Sequence, residues 1–112
     1  SLKMYFGGRC AVITITQDMF EKSGADDSET DAIPGLSRQI EGVEAGITLK
    51  EGKDGTFKIS VRTHAPIDAS AICKALGGGG HVRAAGCRIR GSRDEAERLV
   101  LEQVEKAISV NE

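Results

Sequence analysis

The chain has 112 residues, 39% hydrophobic, 29% charged and only 4% aromatic with no Trp, and its formal net charge is -2. That is one domain's worth of chain with a mostly aliphatic core. No apolar run approaches the roughly 20 residues that cross a bilayer, and no charged-then-apolar leader is present, so a membrane span and a retained secretion signal are excluded.

A strand signal begins almost at Ser1, so the chain reads as a piece of a longer protein. Cys10 to Thr16 is β-branched and apolar and predicts a buried strand. Met4 to Phe6 is its hairpin partner across Gly7 and Gly8. Thr16 caps a short helix carrying Met19 and Phe20, which ends near Gly24. Ala25 to Gly35 is acidic, holds Pro34 and reads as a loop with at most one helical turn. Leu36 to Ile40 reads as a second short helix.

Val43 to Leu49 and Thr56 to Thr63 form a hairpin around Lys53, Asp54 and Gly55, since Asp-Gly is a strong turn signal. In the second strand Phe57, Ile59 and Val61 alternate with Lys58, Ser60 and Arg62, which puts Ser60 and Arg62 on the polar face. Asp68 caps a helix to Leu76, ended by Gly77 to Gly80. Cys87 to Arg90 is a short strand. Ser92 and Glu95 open the last helix as a capping box, and Ala96, Leu99, Val100, Val104, Ala107 and Ile108 give it one apolar face. The whole predicts a single α/β domain, a mixed sheet of about five strands flanked by helices.

Charge is unevenly spread. Gln17 to Asp54 carries ten acids against four bases, whereas Ser60 to Arg93 carries six bases against Asp68 alone. The basic segment is either a phosphate-attracting surface or a solvated face that balances the acidic half. Three cysteines without paired spacing argue against a disulfide framework and for a reducing, cytoplasmic setting. Cys10, Cys73 and Cys87 read as small core residues.

The most informative stretch is residues 77–86, GGGGHVRAAG. Consecutive glycines are entropically costly unless the backbone needs their freedom. Such a loop either cradles an anion on its amides, with His81 and Arg83 at its rim, or is a plain connector. It is not a P-loop, because no Gly-Lys-Ser/Thr follows, and it follows a helix rather than the strand a dinucleotide fingerprint requires.

That stretch resembles the GGGHxxAAG motif of the DHH-associated domain, the C-terminal part of DHH-family phosphoesterases. The segments ITQDMFEKSGADDSETD, IEGVEAGITLKE and KISVRTHAPIDASAICKALGGGGH, in that order, resemble the oligoribonuclease (nanoRNase) and 3′-phosphoadenosine 5′-phosphate phosphatase branch. The likeness extends over roughly Arg9 to Ile108, so residues 1–112 are expected to be the substrate-binding domain. It implies that Gly78, Gly79, Gly80 and His81 form a substrate-binding loop and that Arg62 contacts substrate phosphate. Ala84 to Gly86 is the motif's close-packed end. Arg83 lies at a variable position, and its phosphate contact is inferred from charge alone.

The resemblance further implies a separate N-terminal catalytic domain with two metal ions, usually manganese, acting on short RNA or phosphorylated adenine nucleotides. This chain has no Asp-His-His element and only two His, His64 and His81. It is expected to bind without cleaving, to use no cofactor of its own and to have no membrane partner. His64 reads as a surface-loop residue. Arg88 and Arg90 share one strand face and either extend the basic surface or are solvated; Lys74 faces either solvent or substrate. Two further readings stay open. One is a non-catalytic nucleic-acid module like the C-terminal domain of alanyl-tRNA synthetases. The other is a cyclic-dinucleotide phosphodiesterase or sensor domain.

Overall fold

A computed structural model describes residues 1–24, 26, 30–37 and 39–111. Leu2–Tyr5 (β1) and Cys10–Ile15 (β2) form an antiparallel hairpin with Tyr5 opposite Cys10. Gly7 and Gly8, at φ 67 and 88, carry its turn. Thr16 caps Gln17–Ser23 (α1), its hydroxyl accepting the Met19 amide at 3.2 Å, and Gly24 ends it in the left-handed region.

Part of the expected acidic loop, residues 25 and 27–29, lies outside the described residues. Thr30 and Asp31 are helical, within the expected loop, and the helix that follows them is Ile33–Ser37 (α2), earlier than the expected Leu36 to Ile40, of which Arg38 also lies outside the description. Pro34 explains the shift: in a helix's first turn its missing N–H is no loss and its fixed φ suits the helix.

Ala45–Glu51 (β3) runs parallel to β2, with Cys10 opposite Ala45, so the chain crosses over through the α1–α2 region. Thr56–Thr63 (β4) returns antiparallel after the Asp54–Gly55 turn, where Gly55 has φ 79 and Asp54 accepts the Thr56 amide at 3.2 Å. Asp68 caps Ala69–Lys74 (α3), accepting the Ser70 and Ala71 amides at 2.9 and 3.3 Å. This helix stops short of the expected Leu76. Gly77 turns left-handed at φ 88 and donates to Lys74 O, while Gly78 donates to Cys73 O at 2.8 Å, a Schellman closure.

Gly79–Gly80 (β5) then pairs with Ala84–Arg90 (β6). The sheet therefore has six strands, in the order β1-β2-β3-β4-β6-β5, and the glycine run is partly its edge strand rather than only a loop. β6 also begins before the expected Cys87, because Ala84 to Gly86 pair with Arg62 to Ser60 of β4. Arg93–Val110 (α4) closes the domain. Ser92 accepts the Glu95 amide at 3.2 Å, and Ala96, Val100, Val104 and Ile108 are buried as the apolar stripe requires.

The strands' two faces have different fates. Phe57, Ile59, Val61 and Thr63 of β4 are buried in the core with Ile72 of α3 and Val100 and Val104 of α4. On the opposite face α2 rests against β3. A Cβ on Gly46 would stand 2.2 Å from Ser37 Oγ, so glycine is needed there for helix and strand to meet. Beyond α2 this face stays open over β4 and β6, where Lys58 and Arg88 are exposed and Ser60 and Arg62 half-buried.

Candidate phosphate-binding cleft

The open face holds a cleft of about 440 Å³, lined by Lys58, Ser60 and Arg62 from β4, Gly79 and Gly80 from β5, and Ala84 to Arg88 from β6. Strand alternation places Arg62, Ser60 and Lys58 in one column, as the period of two predicted. The column faces Ala84, Gly86 and Arg88 across the ladder. Ala84, Ala85 and Gly86 put little side-chain bulk into the cleft, so a ligand can lie against backbone. Among the described residues Arg62 makes one hydrogen bond, at 3.3 Å to the adjoining Val61 carbonyl, which leaves its fork of donors largely available.

The four glycines have separate reasons. Gly77 supplies the left-handed helix end. A Cβ on Gly78 would sit 2.2 Å from Gly86 O and 2.5 Å from Cys87 Cβ, so Gly78 is glycine because β6 passes too close. Gly80 has φ 145 and a Cβ there would meet Ala85 Cα at 2.6 Å. Gly79 has neither constraint: nothing lies within 4 Å and its φ is ordinary. Among the four, only Gly79's lack of a side chain is unexplained by the fold, and it lines the cleft. His81 and Ala84 exchange both backbone bonds, at 2.8 and 3.2 Å. In an antiparallel ladder the next pair, Gly80 and Ala85, is then not hydrogen-bonded, so the Gly80 N–H points toward the open edge.

The candidate residues thus separate. Arg62, Gly79 and Gly80 line one cleft, while Gly78, itself exposed, does not line it and is glycine because of its close approach to β6. His81 is exposed at the mouth of the β5–β6 hairpin. Arg83 is turned away from the cleft: its guanidinium donates to Ile67 O at 2.8 Å and Thr63 Oγ1 at 3.3 Å. Those bonds, with Ala69 N to Val82 O at 2.8 Å, stitch the hairpin tip to the loop before α3. Lys58 is the lining residue not singled out from the sequence; its place in the Lys58–Ser60–Arg62 alternation was the available signal. Arg90 donates to Asp54 O at 3.3 Å, so of the two β6 arginines only Arg88 reaches the cleft. Lys74 and His64 are exposed and line none of this cleft.

A second cleft, of about 370 Å³ between β1 and α4, is lined by Asp94, Glu97, Glu102 and Glu105 with Arg98, a rim whose excess negative charge repels phosphate. There Tyr5 donates to Glu97, and that bond, with burial, pushes the phenol up to about 12. Arg9 pairs with Glu44 and holds its carboxyl below the usual carboxylate range. All three cysteines are free and buried. Burial pushes the Cys10 thiol up to about 12. Cys73 and Cys87 meet beneath the glycine strand, and the hydrogen bond between them, with burial, pushes the Cys73 thiol up. They are core thiols, as expected, although the fold pairs two of them in space.

A family model for the DHHA1 domain matches residues 7–110. The chain belongs to the DHHA1 domain family. It is 34% identical over 110 residues to the bifunctional oligoribonuclease and PAP phosphatase NrnA of Thermus thermophilus, covering 97% of this chain and 32% of that protein. The chain therefore spans about a third of that curated relative's length. Among solved structures, an exopolyphosphatase-related protein from Bacteroides fragilis superposes with TM-score 0.86 at 23% identity, over 95% of this chain and 31% of that one. The pGpG-specific phosphodiesterase PggH from Vibrio cholerae matches with TM-score 0.61 at 12% identity, over 96% and 35%. The C-Ala domain of Aquifex aeolicus alanyl-tRNA synthetase gives 0.61 at 10% identity, over 92% and 95%. These three likenesses show the shared DHHA1-type fold.

Among the described residues no three His, Cys, Asp or Glu side chains come together where they could hold a metal ion. The donors of the described residues do not fit a two-metal centre. Among the described residues, no helix is long and apolar enough to cross a membrane.

Proposed function

We propose that this chain is the substrate-binding domain of a cytoplasmic DHH-family phosphoesterase that hydrolyses short oligoribonucleotides or phosphoadenosine nucleotides. The cleft that gathers Arg62, Gly79 and Gly80 on one open sheet face carries this reading. In it, Arg62 donates a bidentate pair of bonds to a phosphate, the Gly80 amide adds a donor from the sheet edge, and His81 closes over the ligand from the hairpin mouth. The absent side chain of Gly79 lets the anion reach the backbone. Water activation belongs to a separate N-terminal domain holding two manganese ions, with the substrate spanning the two. The 34% identity to a bifunctional oligoribonuclease and PAP phosphatase supports this substrate class over the tRNA-module and cyclic-dinucleotide readings, for which the likeness is one of fold.

The test is an amide NMR titration of the 112-residue chain with 3′-phosphoadenosine 5′-phosphate, for wild type and Arg62→Ala. Saturable shifts should centre on residues 62 and 77–86. Arg62→Ala should weaken binding by about tenfold or more, since a charge-assisted hydrogen bond contributes about 1.5–3 kcal/mol, without changing the unfolding midpoint. Equal affinity in the two proteins would refute the assignment. Tighter binding of a structured tRNA than of short oligonucleotides would favour the module reading, and displacement of the nucleotide by a cyclic dinucleotide at lower concentration would favour the third.

A further inference from the structure

The open face carries more charge than one phosphate needs. Lys58 of β4 pairs directly with Lys50 of β3 on one side and with Arg88 of β6 on the other, so three cations form one cross-strand row. Like charges directly opposite destabilise a sheet. Neither Lys58 nor Arg88 makes an ion pair among the described residues that would relieve it. Lys50 hydrogen-bonds Thr30 at 2.7 Å and stands 5.2 Å from the centre of the Phe20 ring.

The row is the boundary between two clefts. Lys58 and Arg88 line the Arg62 cleft and also a neighbouring one of about 440 Å³, where Lys50, Lys53 and Phe20 join them. The carboxylates there are Asp31 and Glu51, and Glu51 accepts the Gln17 amide at 2.7 Å. The two clefts make one basic track ending at an aromatic ring.

We propose that the Lys50–Lys58–Arg88 row is a second phosphate subsite, which holds a further phosphodiester of a single-stranded oligonucleotide whose first phosphate lies at Arg62, with a base on Phe20. The proposal rests on the reading of the Arg62 cleft given above. Lys58 is four residues from Arg62 along β4, a distance of ~13 Å at strand rise. A single nucleotide does not span both positions, whereas a chain of three or more nucleotides does. The aromatic end favours a nucleic acid over an inorganic phosphate chain, because bases stack on such a ring and a phosphoanhydride does not. The repulsion between Lys58 and Arg88, which no ion pair among the described residues relieves, is the cost of a site that a polyanion neutralises.

The experiment measures binding of adenosine 3′,5′-bisphosphate, oligoadenylates of two to five nucleotides, and inorganic tripolyphosphate to the 112-residue chain, to K58Q/R88Q and to Phe20→Leu, at two salt concentrations. In the wild type, affinity should rise about tenfold or more from bisphosphate to tetranucleotide, with a steeper salt dependence for the longer ligand. In K58Q/R88Q that ratio should collapse to within about threefold, and the free protein should unfold at a higher temperature than wild type. Phe20→Leu should lower the ratio for oligoadenylates and leave tripolyphosphate unaffected. A length gain that survives K58Q/R88Q overturns the proposal. So does an absent gain in a wild type that still binds bisphosphate through Arg62, which leaves the first cleft's assignment standing. Tripolyphosphate bound as tightly as the tetranucleotide, and through the same cations, overturns the nucleic-acid assignment. Binding of none of the ligands overturns both readings.

Discussion

Gly78→Ala tests how the glycine strand is held. The new methyl carbon would stand 2.2 Å from Gly86 O, 2.5 Å from Cys87 Cβ and 2.8 Å from Cys87 Cα. None of these is the tip of a flexible side chain, so no rotamer change relieves the contact. Restoring ordinary separation requires β5 and β6 to part by more than about an ångström, beyond the slack of a close-packed interior. That opens the two-residue β5 pairing and strains the 2.8 Å bond from Gly78 N to Cys73 O that closes α3. Overpacking costs about 1–3 kcal/mol and each lost bond about 1 kcal/mol. A total of ~3 kcal/mol lowers the unfolding midpoint of a domain this size by about 10–20 °C. Gly79→Ala is the internal control. Its Cβ meets nothing within 4 Å and its φ is ordinary, so stability should stay within about 0.5 kcal/mol of wild type or rise slightly. Under the proposed function the same methyl obstructs phosphate, so Gly79→Ala should bind nucleotide more weakly while folding normally. Urea and thermal unfolding followed by circular dichroism decide the matter. Gly78→Ala as stable as wild type, or Gly79→Ala as damaged as Gly78→Ala, would refute the division of roles among the glycines.

Three further outcomes are expected. Tyr5 has its phenol pushed from 10.0 to about 12 by the bond to Glu97, so the stability it contributes is present below about pH 10 and is lost as pH rises through 12. The gap between wild type and Tyr5→Phe should shrink over that window, and a constant gap in pH-dependent unfolding would contradict it. Glu44 is held low by Arg9, so its contribution is present above its ordinary value of 4.5 and fades as pH falls through the lower folded value. Both side chains are about a third exposed, so Arg9→Met should cost no more than ~1 kcal/mol at pH 7 and less in strong acid; an acid-side difference larger than the neutral one would count against the pair. Cys10, Cys73 and Cys87 are all buried, so a thiol reagent should label none of them rapidly in the native state and all three after unfolding. A fast-reacting thiol in the folded protein would show that one is more open than described.

Much of this architecture is legible locally. The Asp54–Gly55 turn, the Thr16, Asp68 and Ser92 caps and the apolar stripe of α4 rest on interactions within a few residues, so their signals lie in the sequence itself. So does the period of two that sets Arg62 and Ser60 on one face of β4. The glycine motif carried the resemblance to the family. What the sequence did not reveal depends on neighbours distant along the chain. Gly79 and Gly80 become a strand because β6 lies beside them, and Gly78 is glycine because Cys87 passes behind it. Arg83, basic and next to the motif, is drawn to the Ile67 carbonyl once the hairpin tip docks on the loop before α3. Lys50, Lys58 and Arg88 are widely spaced in sequence, and only strand register sets them side by side. Local chemistry determined which elements form and which residue types could meet a phosphate. The tertiary structure decided which of them do share a cleft, because register and packing join residues whose proximity no short-range signal encodes.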